Sequence, residues 1–378
     1  MSSIKTAIGL MSGTSMDGID AALICTDGEN ILDVKAHTNL VYDANFKQIL
    51  KTALEEGKLI NNRNERPHNL KSIEHQLTQK HIEAVKMLLT KANITSSEVD
   101  VIGFHGQTIL HKPQQALTVQ LGDGLYLANQ TGIDVVYDMR ANDMKYGGQG
   151  APLVPIYHQA LIHKAIKENQ GILNFPICFI NIGGISNLTY IDKNNDLIAF
   201  DCGPGNVLID QWMKLKTGLE FDKAGQCGLK GDIDKDIVEL YKQHSFFTQE
   251  SSGSLDWRDF KPLNADISIN DGAATLAYIT AFGIIYSFRH LPSLPRTLIV
   301  SGGGAQNLAI MKFLTEFALN YKAITTTSNQ LGMNSDFIEA EAWAYLAVRS
   351  LYNLPLTFPS TTGCQFPVSG GVLARYEN

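Results

Sequence analysis

Ile4-Lys-Thr-Ala-Ile-Gly-Leu-Met-Ser-Gly-Thr-Ser-Met-Asp-Gly-Ile-Asp-Ala-Ala-Leu-Ile-Cys25 holds two apolar stretches joined by a turn of glycines, hydroxyls and carboxylates. A third stretch, Ile31 to Leu40, follows the turn Thr26-Asp27-Gly28, so the first forty residues read as a three-strand meander. Apolar residues at helical spacing then run from Pro67 to Lys91, and the strand Val99 to Phe104, a short helix near Leu125 and the strand Ile133 to Tyr137 follow. The same order begins again with Ile177 to Ile182, Leu188 to Ile191 and Leu197 to Phe200. Helices from about Asn206, Asp271, Gln306 and Asp336 then alternate with the strands Thr297 to Val300 and Ala323 to Thr327. Such a repeat of element order, with Arg140 to Pro155 as a loop-rich join, predicts an α/β chain of two domains. Each has a mixed sheet covered by helices, and the ligand cleft is expected between them.

The length of 378 residues fits two or three domains. With 44% hydrophobic and 18% charged residues the chain has the composition of a packed core, not of disorder. The net charge of −7, without a run of Lys and Arg, gives no footprint for nucleic acid or anionic lipid. The five cysteines form no Cys-x-x-Cys pair, which suits neither a disulfide framework nor a zinc site. No export signal is visible, and Leu276 to Phe288, interrupted by Thr280 and Gly283, reads as a buried helix too short to span a membrane. A cytoplasmic location is therefore expected.

Chemistry concentrates at the turns. Gly9 to Asp20 fits either a phosphate-binding turn or an ordinary hairpin: glycines let main-chain N–H groups approach anionic oxygens, hydroxyls add donors, and Asp17 or Asp20 could hold magnesium directly or through water. It is not a Gly-x4-Gly-Lys-Ser/Thr loop, since it has no lysine and a strand follows it. Asn181-Ile-Gly-Gly-Ile-Ser-Asn187 occupies the same place in the second half, and Ser301-Gly-Gly-Gly-Ala-Gln-Asn307 joins a buried strand to a helix. Asp201, in Phe200-Asp-Cys-Gly-Pro-Gly-Asn206, reads either as a general base at a strand end or as a carboxylate bonded to its own turn. His105, Gln107 and Thr108 make a polar set after a strand, and Arg140 fits a carboxylate or phosphate, or a surface ion pair. Asp336 and Glu339 have capping-box spacing, which leaves Glu339 either a cap or a sugar-binding carboxylate.

Taken together, residues 9–20, Gly103-Phe-His-Gly-Gln-Thr108, Gly147-Gly-Gln-Gly-Ala-Pro-Leu-Val-Pro155, Asn181 to Leu188 and Phe200 to Asn206 resemble the anhydro-N-acetylmuramic acid kinases. The resemblance spans nearly the whole chain. It implies the two-domain actin-like ATPase (ribonuclease H-like) fold, with domains at 1–137 and 138–354 and a tail, 355–378, able to pack back on the first. It implies a kinase that uses ATP, Mg2+ and water to open 1,6-anhydro-N-acetylmuramic acid and phosphorylate O6, in cell-wall recycling, and a homodimer. By motif, the ATP positions would be Gly13, Thr14, Ser15, Met16, Asp17, Gly18, Ile19 and Asp20, with Asn181, Gly183, Gly184, Gly302, Gly303 and Gly304. Asp17 would reach the metal through water. Asp201 would activate water and contact the sugar, which His105, Gln107, Thr108, Arg140 and Glu339 would bind. A same-fold kinase of an ordinary sugar or hydroxy acid, and an ATP-gated binding protein, are the alternatives.

Overall fold

The computed structural model describes residues 3–13, 15–168, 173–248, 260, 262–264 and 266–377; Thr14, one of the expected ATP positions, lies outside them. The chain opens with β1 (Lys5–Met11), β2 (Gly18–Thr26), β3 (Leu32–Val41), α1 (Ala44–Gly57), α2 (Leu70–Ala92), β4 (Val101–Phe104), the hairpin β5 (Gln107–Lys112) and β6 (Leu117–Leu121), and α3 (Gly124–Thr131). It continues through β7 (Val135–Tyr137), α4 (Ala141–Lys145), α5 (Pro155–Glu168), β8 (Ile177–Ile182), β9 (Ile185–Ile191) and β10 (Leu197–Pro204). There follow α6 (Val207–Thr217), α7 (Lys235–Lys242), α8 (Ser245–Thr248), α9 (Ile269–Ser287), β11 (Thr297–Ser301), α10 (Leu308–Asn320), β12 (Ile324–Thr327), α11 (Ile338–Leu351), α12 (Pro359–Thr362) and β13 (Val372–Ala374).

Two compact units result, Met1–Lys164 with Asp336–Asn378, and Ala165–Ser335. In the first, β1, β2 and β3 pair antiparallel, while β4 and β7 add in parallel beyond β1. In the second, β8, β9 and β10 form the antiparallel meander, and β11 and β12 add in parallel beyond β8. The strand order is therefore the same twice, with β13 as an extra edge on the first sheet. The same mixed sheet is thus built twice, as the repeat of element order in the sequence predicts.

The central strands are buried on both faces, and one face of each sheet packs on helices. Ile8, Leu10, Ile19 and Ile102 meet Leu77, Val85 and Leu88 of α2 in the first. Ile180, Leu188 and Val300 meet Leu276 and Ile284 of α9 and Ile310 of α10 in the second. The apolar run at 276–288 is thus a core helix, and among the described residues no helix is long and apolar enough to cross a membrane.

The expected boundary at 138–354 needs correction, because residues 138–164 and 336–354 pack with the first unit. The physical reason is the seat of α11. Cβ atoms added to Gly9 and Gly103 would lie 1.8 Å from the Ala340 carbonyl oxygen and 1.9 Å from that of Trp343, so the helix backbone rests directly on the backbones of β1 and β4. Ala340, Ala344 and Ala347 are small and fully buried, which permits that approach. The expected loop 140–155 also contains α4, and Pro155 opens α5 where its missing N–H costs nothing. Gly103→Ala is expected to destabilise the first unit by about 2 kcal/mol or more, since backbone cannot yield as a side chain can. Thermal unfolding of the variant would show this as a fall of several degrees; an unchanged melting temperature would mean that α11 is not seated on β4.

Candidate active site

Parallel strands β1, β4 and β7 end on one edge of the first sheet, where ligands commonly bind in open α/β sheets. The segments that leave them carry Ser12 and Gly13, His105 to Thr108, and Arg140, and a chain of hydrogen bonds fixes all three. The Ser12 hydroxyl donates to Gln107 Oε1 at 2.6 Å, and Gln107 Nε2 donates to the Gly13 carbonyl at 3.1 Å. Both ends of the Gln107 amide are thereby used inside the protein, and the residue is 1% exposed. The expectation that Gln107 binds substrate is corrected accordingly: it orients the Gly13 turn.

His105 is buried, and burial, reinforced by the Arg140 charge, pulls its pKa down to about 3. The ring is neutral, with Nδ1–H donating to the Ser12 carbonyl (3.2 Å) and Nε2 accepting from Arg140 NH2 (3.2 Å). Thr108 Oγ1 lies 3.4 Å from the same Nε2 and accepts from Gln120 Nε2 at 3.2 Å. Arg140 also donates to the Gly150 carbonyl at 2.8 Å and lies over Trp343, 5.6 Å from the ring centroid. Burial lowers its pKa to about 10, with Glu339 and then Asp143 opposing, and its Nε is a buried donor with no partner among the described residues. Arg140 is therefore not the surface ion pair that its composition also allowed.

Glu339 faces Arg140 electrostatically. It keeps solvent-accessible surface, yet loss of solvation raises its pKa, an effect Arg140 opposes and Asp20 reinforces. That accessible surface leaves the carboxylate within reach of a ligand. The expected capping box does not form: α11 begins at Ile338, its N-cap is Phe337, and no side chain caps it. Asp20, opposite Met11 and Asn39 in the sheet, accepts from Asn39 Nδ2 at 2.6 Å, and its pKa is raised by burial and then by Asp336 and Asp17.

The expected ATP positions of the first turn divide. Gly13, Ser15 and Asp17 keep accessible surface, and Asp17 pairs with Lys47 at 3.0 Å. Met16 takes a left-handed backbone, φ 54°, of the strained kind that clusters at functional turns. Gly18 and Ile19 are corrected in role. A Cβ on Gly18 would meet the Leu40 carbonyl oxygen at 2.3 Å, and the Ile19 side chain is wholly in the core, so both positions serve packing and could offer a ligand only main chain.

In the second unit, three turns meet at the carboxyl ends of β8, β10 and β11. Gly205 N donates to the Gly184 carbonyl and Asn206 N to that of Gly183, each at 2.8 Å. Asn206 Nδ2 donates to the carbonyls of Ile182 (3.1 Å) and Gly183 (3.2 Å). Gly302, at φ 79°, lies so close that a Cβ would be 2.5 Å from Asn181 Oδ1, and one on Gly304 would strike Ile182. Gly184 has open space where a Cβ would point. Asn181, Gly183, Gly184 and Gly302 to Gly304 thus share one main-chain-lined cradle, the form that admits phosphate oxygens. Asp201 lies on β10 opposite Asn187, with a register shift between it and Gly203. It borders a small recess with Arg289 and His290.

Several residues escaped the motifs. Glu341, 2% exposed, accepts from Tyr157 OH at 2.5 Å and lies 2.6 Å from His37 Nε2, while the His37 ring stacks on Phe337 at 4.5 Å. This clasp sets the first turn of α11 and hence Glu339. Its members come from distant segments, and only the adjacency of Glu339 and Glu341 signalled it. Asn206 pins the glycine cradle, and its place after Gly-Pro-Gly was the available signal. Asp143, buried, accepts from Gly150 N and Thr362 Oγ1, each at 2.7 Å, and so ties the tail to the loop that holds Arg140.

A model of the anhydro-N-acetylmuramic acid kinase family matches residues 5–375. An anhydro-N-acetylmuramic acid kinase from Brucella canis is 51% identical over 376 residues, covering 99% of this chain and 100% of the relative. One of the same name from Rhizobium etli is 50% identical over 375 residues, with coverage of 99% and 100%. Among solved structures, the activator of the 2-hydroxyisocaproyl-CoA dehydratase from Clostridium difficile with bound ADPNP has a TM-score of 0.44 and 11% identity, covering 92% of this chain and 96% of that one.

Proposed function

The chain belongs to the anhydro-N-acetylmuramic acid kinase family, and from that premise we propose that it converts 1,6-anhydro-N-acetylmuramic acid, ATP and water to N-acetylmuramic acid 6-phosphate and ADP. The observation that carries this reading is the glycine cradle at the ends of β8, β10 and β11, entered by the strand that bears Asp201. Water attacks C1, the C1–O6 bond breaks, O6 attacks the γ-phosphorus, and the bond to the β-phosphate oxygen breaks. Asp201 takes the proton of the attacking water. His105, Thr108, Arg140 and Glu339 hold the sugar, with neutral His105 and cationic Arg140 set against the Glu339 carboxylate. In the second unit the main chain of 181–184 and 302–304 would hold phosphate oxygens; in the first unit Gly13 and Ser15 are suited to phosphate, and Asp17 to the metal through water. Proximity and orientation are the main protein contribution to such transfers.

Among the described residues no group of three or more His, Cys, Asp or Glu could cage a metal ion. That donor set fits magnesium only in its usual form in kinases, bound through phosphate oxygens and water with one or two carboxylates. Asp20, whose pKa is raised by burial and then by neighbouring Asp336 and Asp17, and Asp17 itself are the carboxylates suited to that role. Magnesium there would offset phosphate charge. We further propose that it acts in the cytoplasm, as a homodimer, in cell-wall recycling.

The test is the product formed from ATP, magnesium and the anhydro-sugar. A mass increase of phosphate plus one water supports the proposal. An increase of phosphate alone would leave an ordinary sugar kinase in its place.

A further inference from the structure

We propose that Trp343 is a positioning residue for the reaction assigned above: its indole is the plate that fixes Arg140 and His105 relative to each other and to Glu339. The inference rests on that reading of the site and adds to it a residue that touches neither substrate nor reacting atoms.

The helix supplies the first link. Trp343 follows Glu339 by four residues on α11, so the two side chains share one face of the helix, about one turn apart. The backbone at Trp343 is locked, because its carbonyl oxygen fills the space where Gly103 of β4 lacks a Cβ. The side chain is 2% exposed, and the indole N–H donates to Met11 Sδ at 3.2 Å. Met11 is the last residue of β1, directly before Ser12 and Gly13. The ring is therefore anchored at the end of the sheet from which the turns of the site depart.

Two site residues rest on it. The His105 ring centroid lies 4.7 Å away with the planes inclined at 42°, and the Arg140 guanidinium carbon lies 5.6 Å from the ring centroid. Hydrogen bonds alone hold Arg140 incompletely. NH1 donates to the Gly150 carbonyl and NH2 to His105 Nε2, whereas Nε has no partner among the described residues. Those two bonds fix one edge of the guanidinium and permit it to roll about that edge. The electron-rich face of an indole opposes the roll, since it attracts the flat cation, and more strongly in a buried setting than at a surface. A residue that only filled space would not need a cation, an imidazole and a thioether as partners, each of which belongs to the site or adjoins it.

The experiment is steady-state kinetics on the full chain with ATP, magnesium and the anhydro-sugar. It compares the wild type, Trp343→Phe and Trp343→Leu, and the same two changes in an Arg140→Met background. Loss of the aromatic face in Trp343→Leu is expected to raise KM for the anhydro-sugar about tenfold. KM for ATP should stay at the wild-type value, because the glycine cradle belongs to the second unit and Gln107 holds Gly13 independently. Trp343→Phe keeps a weaker aromatic face without the N–H, and its sugar KM should rise only about threefold. In the Arg140→Met background neither change should lower kcat/KM further by more than about 1.5-fold, since a residue acting through Arg140 then has nothing to position. The Trp343→Phe pair carries this comparison even where Trp343→Leu does not fold. A merely structural role would move both KM values together and would add its loss to that of Arg140→Met. An unchanged sugar KM in the variants, equal rises in both KM values, or additive losses with Arg140→Met would each overturn the proposal. Failure of the wild type to phosphorylate the anhydro-sugar would instead overturn the reading of the site on which it rests.

Discussion

Asp201→Asn lowers kcat by about 10²- to 10⁴-fold, the usual worth of a general base, while ATP affinity changes little. Asparagine keeps the shape and the acceptor oxygen of the side chain but has no basicity, so the loss isolates proton transfer. The backbone there is under strong local control. A register shift in the β9–β10 ladder falls just after Asp201, and such bulges re-aim side chains. Gly203, at φ 127°, and the bonds of Gly205 and Asn206 to the 183–184 turn then fix the chain that follows. The substitution touches none of those bonds, so the cradle should persist. Single-turnover rates together with ATP titration check the outcome. Wild-type turnover in the variant would remove Asp201 from the mechanism.

Arg140→Met has the second-largest expected effect, a fall in kcat/KM of about 10²- to 10³-fold, from the loss of two charge-assisted hydrogen bonds worth roughly 1.5–3 kcal/mol each, part of which appears as lost stability. The side chain bridges the Gly150 carbonyl and the neutral His105 ring, and its charge lowers the pKa of Glu339 against burial and Asp20. Without it Glu339 titrates at higher pH. The sign follows: the acid limb of the kcat/KM profile, where Glu339 must be ionised, moves upward in pH. Arg140→Lys should restore some of the Glu339 ionisation but not the two-pronged bridge, because an ammonium lacks the planar fork. An acid limb that stays in place in Arg140→Met would show that Glu339 is not the group whose ionisation is read.

The sheets were legible because their signals are local. Alternation from Ile4 to Leu40 and from Ile177 to Phe200, punctuated by glycine turns, gave both meanders, and the core reading of 276–288 needed only composition. What the sequence hid depends on distant partners. Glycines at 9 and 103 look like weak points within strands, and only the arrival of α11, far later in the chain, turns them into its seat. That is why the last helix was placed in the wrong unit. The β5–β6 hairpin went unseen because its polar strands, with His111, Thr118 and Gln120, lack a clean alternation. In the site, His105, Thr108, Arg140 and Glu339 were legible as motif residues, while the burial that neutralises His105 and the internal use of Gln107 were not.

The central claim is that one turnover adds water to C1 and phosphate to O6. It is tested most directly by running the reaction in oxygen-18 water and reading the sugar phosphate by mass spectrometry before its anomeric hydroxyl exchanges. The account predicts one heavy oxygen on C1 and none in the phosphoryl group. An unlabelled sugar, or label confined to phosphate, would contradict it.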